Sequence, residues 1–210
     1  MKDLVILVPD TDIKTVVCTL LEHRRPSLGI REVHFKCIVH LETDGGVRKK
    51  AHESLRPYVG HYHNAIVLFD YLGCGEEHKK AAEAIEAGVM KNLTESGWKD
   101  NNAIVVVIVP ELEAWVWSDS LEVAKAVGWQ DGGTVRMKAY VKEMGFQFDP
   151  SGKPEQPKNA LQHVLRKCGT SRSASIYEEI AQHVSLHDCR DRSFSLLKRF
   201  LCQKFPAKQS

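Results

Sequence analysis

The stretch Asn102–Asp119, NAIVVVIVPELEAWVWSD, decides the fold. Ile104 to Val109 is apolar without alternation, the pattern of a strand covered on both faces. Pro110 ends the run, and Glu111 and Glu113 follow at once, then Trp115, Trp117 and Asp119. In open α/β sheets the strands deliver their C-terminal ends to a crevice where ligands bind. Two carboxylates therefore stand where such a sheet places chemistry.

Working outward, Leu4–Val8 and Ala65–Phe69 are similar apolar runs, closed by Pro9 and Asp70. Residues 32–41 mostly alternate, with Val33, Phe35, Cys37 and Val39 on one side, which predicts a half-exposed strand. Between these runs lie helical patterns: Ile13 to Leu21 before Pro26, Val47 to Arg56 before Pro57, and Glu76 to Leu93. Strand and helix alternate, which predicts an α/β fold with a mostly parallel, Rossmann-like sheet covered by helices. After Glu111 no buried strand is evident. Helices are expected over 114–127, either continuous or broken at Asp119, and over 134–144, 159–167, 176–184 and 193–204, with 146–158 a Pro/Gly/Asp-rich loop. The expected organisation is an α/β domain over 1–130 and a helical, basic C-terminal region over 131–210 packed on it.

The chain has 210 residues and a net charge of +2. Residues 151–210 hold eleven Lys/Arg against five Asp/Glu, whereas residues 1–150 hold eighteen against twenty-two. An acidic body with a basic C-terminal region fits either a nucleic-acid contact or a solvated helical face. Six scattered cysteines without a CxxC pair point to a reduced, cytoplasmic protein rather than a disulfide scaffold. No apolar run is long enough to span a membrane.

Carboxylates follow three of the strands: Asp10 and Asp12 after the first, Asp70 after the third, Glu111 and Glu113 after the fourth. If they converge, their charges repel and a divalent cation relieves the conflict; an all-oxygen set suits Mg²⁺ or Mn²⁺. Such an ion activates water and clamps a phosphoryl oxygen, the logic of phosphodiester hydrolysis. The plainer alternative is that Asp10 and Asp12 cap a helix and the glutamates favour a helix dipole. On a helix, Glu111 and Glu113 diverge by about 200° and only one faces the crevice. If Glu111 is still extended, both can point the same way. The tryptophans read as core. His61 and His63 read as surface residues without zinc-like partners. Gly73-Cys74-Gly75 is not a P-loop, since no Gly-Lys-Ser/Thr follows it. Ser171–Ser175 reads either as a phosphate contact at a helix start or as a cap and linker.

Taken together, VPDTD (Val8–Asp12), LFDYLGCGEE (Leu68–Glu77) and VPELEAWVWSD (Val109–Asp119) resemble the Toprim fold. More narrowly, they resemble a Toprim-like family encoded beside bacterial anti-phage genes, as in the methylation-associated defence system. PKNALQHVLRK, RSASIYEEIAQHVSLHDC and RDRSFSLLKRFLCQKFP are similar to that family's basic C-terminal region. The resemblance implies a defence component, a metal-dependent nuclease using Mg²⁺ or Mn²⁺, with nucleic acid and other defence proteins as partners. It implies Asp70 as the first aspartate of the DxD motif and Asp10 or Asp12 in the first loop, with Glu76 or Glu113 standing in for the missing acids. Joined to the strand-end reading, this gives Asp70, Glu113 and Asp10 as catalytic residues, and Asp70, Glu113, Asp12 and Glu111 as metal ligands. It implies Lys158, Arg166, Lys167, Arg172, Arg190 and Arg192 as the nucleic-acid contacts. Two departures stand out. The first loop lacks the family's general acid/base glutamate, and the second aspartate of the DxD motif is Leu72. These departures imply the alternative of a degenerate domain that binds nucleic acid or a partner without cleavage.

Overall fold

The four expected strands pair into one parallel sheet in the order β2-β1-β3-β4, with β1 Lys2–Val8, β2 Phe35–Val39, β3 Tyr62–Asp70 and β4 Ala103–Ile108. This computed structural model describes residues 1–186, 189 and 191–207. The chain leaves β1 in one direction to β2, then returns to the other side of β1 for β3. That reversal makes the C-terminal ends of β1 and β3 the switch point, the place where open α/β sheets bind ligands.

Alternate side chains of the central strands enter two cores. Leu4, Ile6 and Val8, with Ile66 and Leu68, face one layer; Val5 and Leu7, with Ala65, Val67 and Phe69, face the other. Helices α3 (Thr43–Leu55) and α4 (Ala82–Glu95) cover the second layer. Helix α1 (Thr11–His23) covers the first, beyond which lies the short α2 (Arg25–Leu28). The first core also takes in the later helices, α5 Glu113–Val116, α6 Leu121–Ala126, α7 Gly133–Glu143, α8 Pro157–Lys167, α9 Ala174–His183 and α10 Arg192–Lys204. Helix α9 lies against α1, and α10 against β4. Burying each large apolar side chain contributes roughly 1.5–3 kcal/mol. The C-terminal helices therefore share one core with the sheet.

The fold follows the expectation, with local differences. Pro26 opens α2 at its first turn rather than only ending α1. Helix α4 begins at Ala82, not Glu76, because the preceding acidic residues serve the loop: Glu76 pairs with Arg48 and Lys80, and Glu77 accepts from the Gly73 and Gly75 amides. The helix expected over 114–127 splits into α5 and α6, the second started by Ser120, whose hydroxyl accepts from Glu122 N–H. Among the described residues no helix is long and apolar enough to cross a membrane.

Candidate metal centre

The switch point gathers acidic side chains from every strand end. After β1, exposed Asp10 caps α1: its Oδ1 accepts from Ile13 N–H at 2.9 Å. Asp12, in the first turn of α1, accepts from Arg172 Nη2 at 2.7 Å. After β2, Asp44 in the first turn of α3 accepts the Asp70 N–H through Oδ1 at 2.8 Å. At the end of β3, Asp70 is 7% exposed, and its own Oδ1 accepts from Leu112 N–H at 2.9 Å. The loop after β3 is tied to the β4 end by Tyr71 N–H to Ile108 O and Leu72 N–H to Pro110 O.

Past β4 the backbone is still non-helical at Glu111, and α5 starts only at Glu113. That late start lets both glutamates turn inward, the second of the two geometries the sequence allowed. Glu111 and Glu113 are both buried, and with Asp70 they present oxygens that lie within 4.8 Å of one another. Glu111 Oε1 accepts from Lys158 N–H at 3.1 Å, at the start of α8, and Oε2 lies 3.8 Å from Lys158 Nζ. Glu113 Oε1 accepts from Tyr177 O–H at 2.6 Å and from Arg172 Nη2 at 3.1 Å.

The electrostatics follow from this crowding. Burial, then the charges of Asp44, Glu113, Asp10 and Glu111, push the Asp70 carboxyl well above the usual range. Burial and Glu113 also raise Glu111, against the pull of Lys158 and Arg172. Burial raises Asp12 and Asp44. The Tyr177 phenol is driven upward by burial and by Glu113. Burial works against the Arg172 charge, but Tyr177, Glu113 and Asp12 outweigh it and hold the proton more firmly.

The donor set fits a hard divalent cation. Three carboxylates lie within reach of one another, with no thiol or imidazole among them. Asp70 Oδ2 and Glu113 Oε2 accept no hydrogen bond among the described residues. A buried carboxyl with elevated proton affinity is also what a cation relieves. Mg²⁺ and Mn²⁺ take such oxygens and keep several positions for water or substrate.

The structure thus brings together Asp70, Glu111 and Glu113 of the expected ligands. Asp12 joins only through Arg172, and Asp10 is a helix cap beside the group. Leu72 is 38% exposed on the adjoining loop. The tryptophans are packing residues: Trp117 is 1% exposed and donates to Pro157 O, while Trp115 donates to Ser193 Oγ and meets the Phe194 ring edge-on. His61 and His63 are exposed. Cys74 is buried, and burial first of all raises its thiol, which does not suit a nucleophile. The expected nucleic-acid contacts divide. Lys158 and Arg172 hold the site's own glutamates. Arg192 is engaged by Glu86 at 2.7 Å and Glu83 at 2.9 Å. Arg166 and Lys167 are exposed in the last turn of α8, and Arg190 lies outside the described residues.

Two participants were missed by sequence reasoning. Asp44 sits in Asp-Gly-Gly, which reads as a turn, yet it follows a strand just as the other acids do. Tyr177 carries no local signal; it reaches the site because α9 packs on α1. No family model, no curated protein and no solved structure matches this chain.

Proposed function

We propose that this protein is a divalent-metal-dependent nuclease hydrolysing nucleic-acid phosphodiesters in bacterial anti-phage defence. The defence setting rests on the resemblance to the Toprim-like family. The chemistry rests on one observation, the convergence of Asp70, Glu111 and Glu113 at the switch point of the sheet. Bound there, Mg²⁺ or Mn²⁺ supplies charge to a phosphoryl oxygen and acidifies water. Asp70, Glu111 and Glu113 would hold the ion. Tyr177 orients the Glu113 carboxylate, and the Leu112 amide orients that of Asp70. Arg172 and Lys158 stand at the rim with N–H donors suited to phosphate. DNA and RNA are both phosphodiesters, and the site chemistry serves either.

A second reading, a domain that binds nucleic acid or a defence partner without cutting, is favoured by a specific feature. Leu72 offers no oxygen where the family has an aspartate, and Glu113 is held by both Arg172 and Tyr177. A missing general acid/base costs ~10²–10⁴ in rate. The discriminating experiment incubates single- and double-stranded DNA and RNA with Mg²⁺ or Mn²⁺ and the wild type, Asp70→Asn or Glu113→Gln. Cleavage lost in both variants supports the nuclease. Salt-dependent binding without cleavage supports the second reading. Equal cleavage in all three proteins removes the metal site from the reaction.

A further inference from the structure

The carboxylates of this pocket already hold cations that belong to the chain. Arg172 Nη2 sits 3.1 Å from Glu113 Oε1, and Lys158 Nζ sits 3.8 Å from Glu111 Oε2. Two of the three candidate ligands are thus each paired with one cationic side chain, both contributed from beyond residue 150. Neither cation is fully enclosed: Arg172 keeps 34% of its side chain exposed and Lys158 keeps 37%. Arg172 Nη1 makes no hydrogen bond among the described residues, so its N–H donors remain free.

We propose that Arg172 and Lys158 are built-in counter-ions that a divalent cation displaces, and that, once displaced, they receive a phosphodiester oxyanion. Metal and substrate then bind cooperatively. This rests on the metal reading above and deepens it by assigning the phosphate contacts and their control. A doubly charged ion and a guanidinium on the same buried carboxylate repel at short range, where little water screens them. Asp70, Glu111 and Glu113 would hold the ion together, three carboxylates against the single glutamate that each side-chain cation engages in this group. Arg172 has a second anchor outside that group, Asp12 at 2.7 Å, which keeps the guanidinium beside the pocket after Glu113 releases it. Tyr177 still donates to Glu113, so the carboxylate stays oriented when Arg172 leaves. The freed planar fork matches phosphate oxygens, and Lys158 adds a mobile point charge. Linkage makes the effect reciprocal: phosphodiester must tighten metal binding by the factor that metal tightens phosphodiester binding.

The test is Mn²⁺ affinity, read from the free-ion electron paramagnetic resonance signal. Wild type, Arg172→Gln and Lys158→Gln are compared, each with and without a cleavage-resistant phosphorothioate dinucleotide. Lys158 is partly exposed, so Lys158→Gln keeps the experiment interpretable should Arg172→Gln fold poorly, which far-ultraviolet circular dichroism checks. Wild type should bind Mn²⁺ about tenfold tighter with the dinucleotide, within the ~5–150-fold span of such couplings. Each variant should bind Mn²⁺ alone more tightly than wild type and lose most of the coupling. Unchanged or weaker Mn²⁺ binding in the variants, or coupling that survives both substitutions, overturns the exchange and leaves the metal reading standing. Failure of every protein to bind Mn²⁺ overturns both.

Discussion

Replacing Asp70 by Asn isolates the charge conflict in the pocket. Asp70 is almost wholly buried, and the four carboxylates facing it all oppose its ionisation. Its folded proton affinity is therefore raised, and the sign of the pH effect follows. Between the unfolded carboxyl value near ~3.9 and the elevated folded value, the folded chain keeps a proton that the unfolded chain has released. Stability from this group is complete below the unfolded value and declines as pH rises through the folded one. Asparagine carries no such charge and keeps an oxygen for the Leu112 amide. Every tenfold of elevated affinity corresponds to about 1.4 kcal/mol, and a chain of this size gains roughly 2–4 °C in melting temperature per kcal/mol. Each tenfold thus makes Asp70→Asn roughly 3–6 °C more stable than wild type in EDTA at neutral pH. The gap should close as pH falls toward ~3.9. Asp3 behaves oppositely, since Arg31 holds it down to about 2, and the paired comparison at each pH cancels its contribution. With Mn²⁺ at a hundred times its dissociation constant the gap should narrow, because wild type gains about 2.7 kcal/mol and the variant loses a ligand. The assay is thermal unfolding by circular dichroism from pH 4 to 8, with EDTA or Mn²⁺. An Asp70→Asn protein no more stable than wild type at any pH in EDTA would refute the idea of a charge-crowded pocket.

Three further outcomes bear on individual contacts. Tyr177→Phe removes the donor to Glu113 and the acceptor for Arg172 Nε, and should cost about 1.5–3 kcal/mol in urea unfolding, as for a hydrogen bond to a charged group. Glu86→Ala strands the Val107 N–H, which donates to Glu86 Oε1 at 3.0 Å; about 1–3 kcal/mol should be lost, with amide exchange at Val107 accelerated. Asp10→Ala removes the cap of α1 and should cost about 1 kcal/mol in the same unfolding measurement, while calorimetry still detects Mn²⁺ binding. Loss of Mn²⁺ binding in Asp10→Ala would move this residue from cap to ligand.

Strands β1, β3 and β4 were legible because covering helices force both faces of each to be apolar, leaving unbroken runs such as Val105–Ile108. The edge strand β2 showed itself by alternation instead, and its paired part, Phe35–Val39, is shorter than the pattern. The α4 start was hidden because Glu76 and Glu77 look like helix formers but are spent on Arg48, Lys80 and the glycine amides. At the site, Asp70, Glu111 and Glu113 were readable from position alone, Asp70 closing a buried strand and the two glutamates just beyond another. Asp44 obeys the same rule after β2, and its glycine neighbours masked it. Arg172 and its small polar neighbours read locally as a cap or phosphate contact. Its pairing with Asp12 and Glu113, 160 and 59 residues away, is a product of tertiary packing that no local pattern encodes.

The most direct measurement is an anomalous difference map from crystals grown with Mn²⁺. A peak ~2.0–2.6 Å from oxygens of Asp70, Glu111 and Glu113 is the predicted result. A map without a peak there, at a Mn²⁺ concentration that raises the melting temperature, would contradict it.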